Sequence, residues 1–156
     1  MRYLRLQRGR VKPIFASLLS MMVCGAASNG VHAQASTPPS SGVYTTQQAA
    51  QGEVLYQSKC TTCHNTDLSG DGMAPALAGA GFAAHWAGQP MADLFDTIHT
   101  TMPSDQPGSL TAQQAADLLA FFLSSNRYPA GPTELPAATD HLQLIVFDKV
   151  SPAPAN

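Results

Sequence analysis

The chain has few cysteines, few basic residues beyond its first dozen positions, and no apolar run long enough to span a membrane. Three cysteines in 156 residues exclude a disulfide-rich scaffold. Beyond residue 12 the only lysines and arginines are Lys59, Arg127 and Lys149, against ten acidic residues, so this part carries a formal charge of 3 − 10 = −7. That surplus of negative charge argues against binding to nucleic acid or to an anionic membrane surface.

The first 33 residues have the composition of a secretory signal peptide. A positively charged start precedes an uncharged, mostly apolar run of 14 residues, 14–27. Small residues then give two A-x-A-like cleavage sites, after Ala33 or after Ala35. The run falls short of the ~20 residues that span a bilayer, and an uncleaved anchor is the alternative interpretation. We therefore predict a signal peptide over residues 1–33, export to the periplasm, and no membrane span after its removal.

The exported part is predicted to form one domain with a segment at each end. Residues 34–44 are rich in Ser and Pro, which predicts a flexible lead-in. Residues 45–135 form the domain, and residues 136–156 form a C-terminal tail. Within the tail, the short apolar run 142–147 is more typical of a strand than of a helix.

Capping signals and helical spacing predict the main helices of the domain. They are expected over residues 47–59, 90–101 and 112–125. Thr45 or Thr46 suits the N-cap of the first helix, and Thr111 with Gln114 forms a capping box at the last. Gly52 lies in the middle of the first helix, where it indicates that another backbone passes close by.

The segment between the first two helices is dense in Gly, Ala and Pro. It covers residues 65–88 and predicts a loop that wraps around something flat. Only a short turn is expected within it, near residues 83–87.

Residues 60–64 read Cys-Thr-Thr-Cys-His, which is the signature of covalent c-type haem attachment. Both thiols can add across the haem vinyl groups, and the adjacent imidazole is then held beneath the iron. We therefore predict one covalent haem c, attached through Cys60 and Cys63, with His64 as an axial iron ligand.

A six-coordinate iron requires a second axial ligand, and several side chains could provide it. Met102 is favoured because Pro103 forces its backbone to be extended and a loop rich in helix breakers flanks it. A Met/His pair also raises the reduction potential. The alternatives are Met73, Met91, His85, His99 and His141, of which a histidine would give a bis-imidazole iron at lower potential.

Two further residues are expected in the surroundings of the haem. A ligating imidazole usually donates its second N–H to an oxygen, and the carbonyl of Pro75, eleven residues beyond His64, is a suitable acceptor. Trp86 carries an N–H that could reach a haem propionate, although plain burial in the core explains it equally well.

At these residues the chain resembles the class I monohaem cytochromes c, over about residues 47–135. The resemblance rests on Gly52-x-x-x-Tyr56 before the cysteine pair, on Pro75-Ala-Leu-Ala-Gly79 and on Thr101-Met102-Pro103. The Met-Pro pair, the loop 107–111 and the segment 128–131 are similar to small cytochrome subunits and partners of periplasmic quinoprotein (PQQ) dehydrogenases.

The resemblance implies an all-α fold of the class I cytochrome c type. Three to five helices would wrap around one covalently bound haem. The N- and C-terminal helices would cross with Gly52 at the contact, and His64 and Met102 would be the axial ligands.

Three functions remain open at this point. The first is a periplasmic one-electron carrier that is not itself an enzyme, passing electrons from an exported dehydrogenase or quinol-linked donor toward a terminal oxidase or another cytochrome. The second is a haem c enzyme or gas sensor with an open distal site. The third is a module without haem, either a thioredoxin-like redox pair or a zinc site. The negative charge has two interpretations. It favours a redox partner with a basic patch, or its effect is only to keep an exported protein in solution.

Overall fold

The computed structural model describes residues 35–149, and the regular structure in that range is helical. In chain order the helices are α1 (Thr46–Lys59), α2 (Thr61–His64), α3 (Ala80–Trp86), α4 (Met91–Thr101), α5 (Ala112–Ser125) and α6 (Thr139–Leu142), after a 3-10 turn at Pro39–Ser41. The all-α class is confirmed, and the single-turn helices α2 and α6 raise the number of helices above the expected three to five. No described helix has the length and apolarity needed to cross a bilayer. The predicted signal peptide, residues 1–33, lies outside the described residues, as does the end of the tail, 150–156.

The long helices begin where their capping residues predict. The hydroxyl of Thr45 accepts a hydrogen bond from the backbone N–H of Gln48 at 3.1 Å, so Thr45 is the N-cap of α1. At the start of α5, Thr111 and Gln114 make both bonds of the capping box. The N-cap of α1 and the capping box of α5 both supply partners for N–H groups that have none within the helix.

Helix α1 packs directly against α5 at Gly52. A Cβ at this position would lie 1.9 Å from the carbonyl oxygen of Asp117 and 2.9 Å from the Cβ of Phe121. One turn later, the Tyr56 ring is 5.3 Å from the ring of Phe121 and meets the ring of Phe122 edge-on at 6.0 Å. The close approach that Gly52 predicted is therefore confirmed, and only glycine allows the two backbones to come this near.

Two local predictions are wrong. Residues 80–86 form the helix α3 rather than a short turn near 83–87, because packing outweighs the helix-breaking tendency of Gly81. The run 142–147 forms no strand. Leu142 ends α6, and only isolated bridges follow, from Ile145 to Thr37 and from Val146 to Pro90.

The segments at both ends of the domain pack against each other. The N–H of Thr37 donates to the carbonyl of Leu144 at 2.8 Å, and the N–H of Val146 donates to the carbonyl of Thr37 at 3.1 Å. These bonds fix the backbone of Thr37, within the segment 34–44 whose composition predicts a flexible lead-in. Their partners come from the tail, more than 100 residues away in sequence, so no local pattern shows them.

A buried glutamine ties the chain beyond α5 to α1. Gln48 is fully buried, and its amide donates to the carbonyl of Leu135 at 3.0 Å and accepts from the N–H of Leu135 at 2.7 Å. Both polar groups of the side chain are therefore satisfied, which removes the cost of burying them.

We expect Gly52→Ala to destabilise the domain by about 3 kcal/mol, because its methyl group would force α1 and α5 apart. Urea unfolding of the holoprotein measures this loss. Gln51→Ala, on the exposed face of the same helix, is the matched control and should change stability by less than about 0.5 kcal/mol. Equal effects of the two substitutions would contradict the close contact.

Candidate functional site

A cavity of about 1260 Å³ occupies one side of the domain and brings the predicted site residues together. Cys60, Cys63, His64 and Met102 all line it. Most of its wall is apolar, with buried and partly buried side chains from α3, α4 and α5 and from the adjoining loops, among them Leu77, Phe82, Leu94, Ile98, Leu110, Leu118 and Phe122. Pockets for drug-sized ligands measure ~300–1,000 Å³, so this cavity suits a larger apolar group.

The end of α1 and the single turn of α2 place the three motif residues. Cys60 is both the C-cap of α1 and the N-cap of α2. Its carbonyl accepts a hydrogen bond from the N–H of His64 at 2.9 Å. Because one helical turn separates Cys60 from Cys63 and His64, all three side chains reach the same cavity.

The ring of His64 is oriented by a backbone carbonyl. His64 is 9% exposed, and its Nδ1 lies 2.9 Å from the carbonyl oxygen of Pro75. A carbonyl only accepts, so Nδ1 carries the proton and Nε2 keeps a free electron pair. That tautomer is the one in which Nε2 can ligate a metal.

Tyr56 supports the same segment from the core side. Its side chain is fully buried, and its hydroxyl donates to the carbonyl of His64 at 3.1 Å and to that of Asn65 at 2.5 Å. Burial, with lesser contributions from Cys60 and Asp67, raises the pKa of Tyr56 to about 12, so the hydroxyl stays protonated and remains a donor.

The two cysteines differ in environment. Cys60 is half-buried, and Cys63 is exposed. Burial raises the pKa of the Cys60 thiol to about 11, against a lowering by Lys59. A protonated thiol is a poor nucleophile in thiol–disulfide exchange, which disfavours a thioredoxin-like pair.

The loop from His64 to Pro75 is held by its own polar groups. The carboxylate of Asp71 accepts from the N–H groups of Met73 and Ala74 at 3.0 and 2.8 Å, and these bonds lower the pKa of Asp71. The N–H of Gly70 donates to the carbonyl of His64 at 3.1 Å. The loop thereby returns Pro75 to the imidazole of His64.

The candidates for the second axial ligand differ in whether they line the cavity. Met102, Met73 and His85 line the cavity, whereas Met91, His99 and His141 are not part of its wall. Met91 is fully buried in the core, and Met73 is 94% exposed. Met102 is half-buried and has an extended backbone (φ −111°, ψ 151°) between α4 and Pro103.

Trp86 is half-buried and lies on the cavity wall at the end of α3. Its ring packs edge-on against His85 at 4.8 Å and lies 6.4 Å from Phe82. Trp86 therefore lies both at the cavity and in an aromatic cluster, and its hydrogen bond to a haem propionate stays a prediction.

Asn126 is a positioning residue that the sequence interpretation missed. It is 6% exposed at the end of α5, accepts from the N–H of Gly79 at 2.9 Å, and donates to the carbonyl of Leu77 at 2.9 Å. These bonds fix the chain just before α3. The sequence signal was weak, because an asparagine at the end of a helix is also a common C-cap.

The residues present fit a covalently held haem. Two thiols, one imidazole in the ligating tautomer and one thioether border a large, mostly apolar cavity. Imidazole and thioether are the axial ligands found in cytochromes c. Among the described residues, no cluster of three or more His, Cys, Asp or Glu side chains could hold a metal ion by itself, which leaves the zinc alternative without support.

We expect Asn126→Ala to cost about 1–3 kcal/mol of stability, because Gly79 and Leu77 lose their partner near the cavity. Urea unfolding of the holoprotein measures the loss. Asn126→Asp keeps an acceptor for Gly79 but no donor for Leu77, so it should lie between the wild type and the alanine variant. If alanine and aspartate had equal effects, the acceptor half of this account would be wrong.

Comparisons with known proteins give one family match and one structural similarity. The family model described as "Cytochrome C oxidase, cbb3-type, subunit III" matches residues 47–122. The crystal structure of the sulfane dehydrogenase SoxCD from Paracoccus pantotrophus is similar at 23% identity and a TM-score of 0.45, over 61% of this chain and 52% of that chain. This chain thus spans about half the length of that one. A search of curated proteins finds no match. Over residues 47–122, just under half of its length, the chain matches this cytochrome family model, and it resembles the class I cytochromes c there.

Proposed function

We propose that this protein is a periplasmic one-electron carrier with a single haem c. A cytochrome c domain holds haem covalently and transfers electrons. The convergence of Cys60, Cys63, His64 and Met102 on one cavity is the observation that carries the finer proposal. When bound, the haem iron supplies one-electron redox chemistry.

Each of these residues has a distinct task. Cys60 and Cys63 would hold the group through two thioether bonds, and His64 would bind the iron through Nε2, since Nδ1 donates to Pro75. Met102 would provide the second ligand. If His64 and Met102 both bound the iron, a substrate would have to displace a side chain to reach it, so we favour electron transfer over an enzyme or a gas sensor.

The apolar wall keeps water from the buried part of the cavity. Leu94 and Ile98 on α4 and Leu118 on α5 line it and are at most 4% exposed. Low polarity disfavours the more highly charged ferric state, so burial raises the reduction potential together with the thioether ligand. Both effects make the protein an acceptor for low-potential donors.

The charge at the cavity supports a partner with a basic docking surface. Asp71 and Asp105 are exposed and line the cavity, with Lys59 as the one lysine or arginine there among the described residues. Such a carrier serves an exported dehydrogenase, a terminal oxidase or another cytochrome. The likeness to the cytochrome partners of quinoprotein dehydrogenases favours the dehydrogenase. Export follows from the predicted signal peptide.

Met102→Ala should leave the haem attached but remove the Met–iron charge-transfer band of the oxidised protein. The iron should become high-spin or bind an external ligand. At a fixed ambient potential, the ratio of ferric to ferrous protein should rise at least about tenfold, which corresponds to a fall in reduction potential of ~59 mV. Visible spectra and a redox titration measure both effects.

Met73→Ala is the matched control, because Met73 also lines the cavity but is 94% exposed. It should keep the band and the potential of the wild type. If Met73→Ala lost the band and Met102→Ala kept it, Met73 and not Met102 would be the second ligand. A colourless protein from a host able to attach haem would refute the proposed function itself.

Asp105→Asn should change the rates at which small charged reagents exchange electrons with the protein. One negative charge near the cavity favours a cation, so oxidation by ferricyanide should speed up and reduction by hexaammineruthenium(II) should slow down, each about twofold at low salt. Stopped-flow absorbance measures both rates.

The effect should fade above 0.1 M salt, where the screening length is ~10 Å. Glu53→Gln is the control, since Glu53 lies on the exposed face of α1 and does not line the cavity. Equal changes in both variants would show that net charge acts, and not the charge at this surface.

A further inference from the structure

Helix α3 carries a large share of the cavity wall but has little stability of its own. Gly81, Phe82, His85 and Trp86 all line the cavity. The helix has only seven residues, its N-cap Gly79 supplies no side-chain bond, and Gly81 lies within its first turn. Isolated helices of this length do not persist in water, so its position depends on packing.

The start of α3 is held by Asn126, and its end is held by the C-terminal tail. We call residues 144–147 the strap. The N–H of Gly88 donates to the carbonyl of Phe147 at 3.0 Å, and the N–H of Phe147 donates to the carbonyl of Gln89 at 3.0 Å. The N–H of Met91 donates to the carbonyl of Ile145 at 2.8 Å. The strap therefore bonds to the whole connection between α3 and α4.

The strap is also fixed on its other edge. Its backbone exchanges two hydrogen bonds with Thr37, through the carbonyl of Leu144 and the N–H of Val146. Beyond it, Asp148 accepts from the backbone N–H and the hydroxyl of Ser40 at 3.3 and 3.1 Å. With bonds on both edges, the strap has a defined register and direction.

This register places the ring of Phe147 against the aromatic residues of α3. Phe147 is 2% exposed and meets the ring of Phe82 edge-on at 5.9 Å. Its ring lies 6.1 Å from Trp86 at an interplanar angle of 36°, and 6.3 Å from Tyr128. Phe147 is not part of the cavity wall, so it acts on the cavity only through Phe82 and Trp86.

We propose that Phe147 is a positioning residue that holds the Trp86 indole against the haem cavity, so that the C-terminal strap sets how well the haem is shielded from water. This rests on the proposed function, because it assigns the strap a role toward the same haem. The family match ends at residue 122, so the strap lies outside the part of the chain that it describes.

The consequence for redox behaviour follows from polarity. An indole fixed on the wall excludes water, and a mobile indole admits it. Water stabilises the more highly charged ferric state, so loss of the Phe147 ring lowers the reduction potential. Cys60, Cys63, His64 and Met102, which would hold the haem, should keep their places, because Phe147 does not line the cavity that they border.

The test compares Phe147→Ala with the wild-type holoprotein in two measurements. The chain has a single tryptophan, so its indole N–H gives one assignable NMR resonance. The shift of that resonance between the ferrous and ferric forms depends on the position of the ring relative to the paramagnetic iron. We expect the ferrous-to-ferric difference in indole shift to change in Phe147→Ala. At a fixed ambient potential, the ratio of ferric to ferrous protein should rise about threefold to tenfold. The Met–iron band should be retained.

Two further variants keep the test decisive. Leu144→Ala lies in the same strap, and Leu144 is 42% exposed, so this substitution should leave both readouts at their wild-type values. Phe147→Leu keeps apolar bulk and fills most of the same space. If Phe147→Ala fails to fold, Phe147→Leu takes its place, with smaller changes in the same directions.

The outcomes separate the two proposals. Phe147→Ala could unfold more easily and yet keep the wild-type indole shift difference and reduction potential. That result would overturn the role of Phe147 and leave the carrier function intact. A wild-type protein without covalent haem would overturn the carrier function before the strap is tested.

Discussion

The contact between α1 and α5 at Gly52 is the constraint on which the site depends. It fixes the direction of α1, and the end of α1 fixes where Cys60 begins the single turn of α2. Tyr56, one turn beyond Gly52, then packs on Phe121 and Phe122 with its ring and holds the backbone of His64 with its hydroxyl. A side chain at position 52 would therefore disturb the attachment motif eight residues away.

The loop after His64 shows how an irregular segment can be as well defined as a helix. Residues 65–79 have few regular backbone bonds, yet Asp71 satisfies the N–H groups of Met73 and Ala74, and Asn126 satisfies Gly79 and Leu77. A loop at the edge of a large cavity needs such partners, because a buried backbone group without one is costly. The carbonyl of Pro75 can therefore be held at hydrogen-bond distance from His64 Nδ1.

Much of this arrangement follows from local sequence. The bounds of α1, α4 and α5 depend on capping residues and helical spacing within a dozen positions, and the haem motif is five consecutive residues. The proximity of Pro75 to His64 and the presence of Met102 at the cavity also lie within what the sequence indicated. A ligating imidazole usually donates its second N–H to an oxygen, and Pro103 restricts the backbone of Met102. The ligand roles of these residues rest on chemistry and remain part of the proposal.

The remaining features depend on residues far apart in the chain, which no local pattern encodes. Asn126 meets Gly79 across 47 positions, and Phe147 meets Phe82 across 65. For this reason the local sequence around Gly81 predicts a loop where α3 forms. The apolar run of the tail likewise predicts a strand, although it forms only isolated bridges. The division has a physical consequence. The motif of residues 60–64 is positioned by α1 and by its contact with α5, whereas the enclosure of the cavity by α3 depends on Asn126 and the strap. Changes in the tail would therefore alter the polarity of the cavity without disturbing the residues proposed to hold the haem.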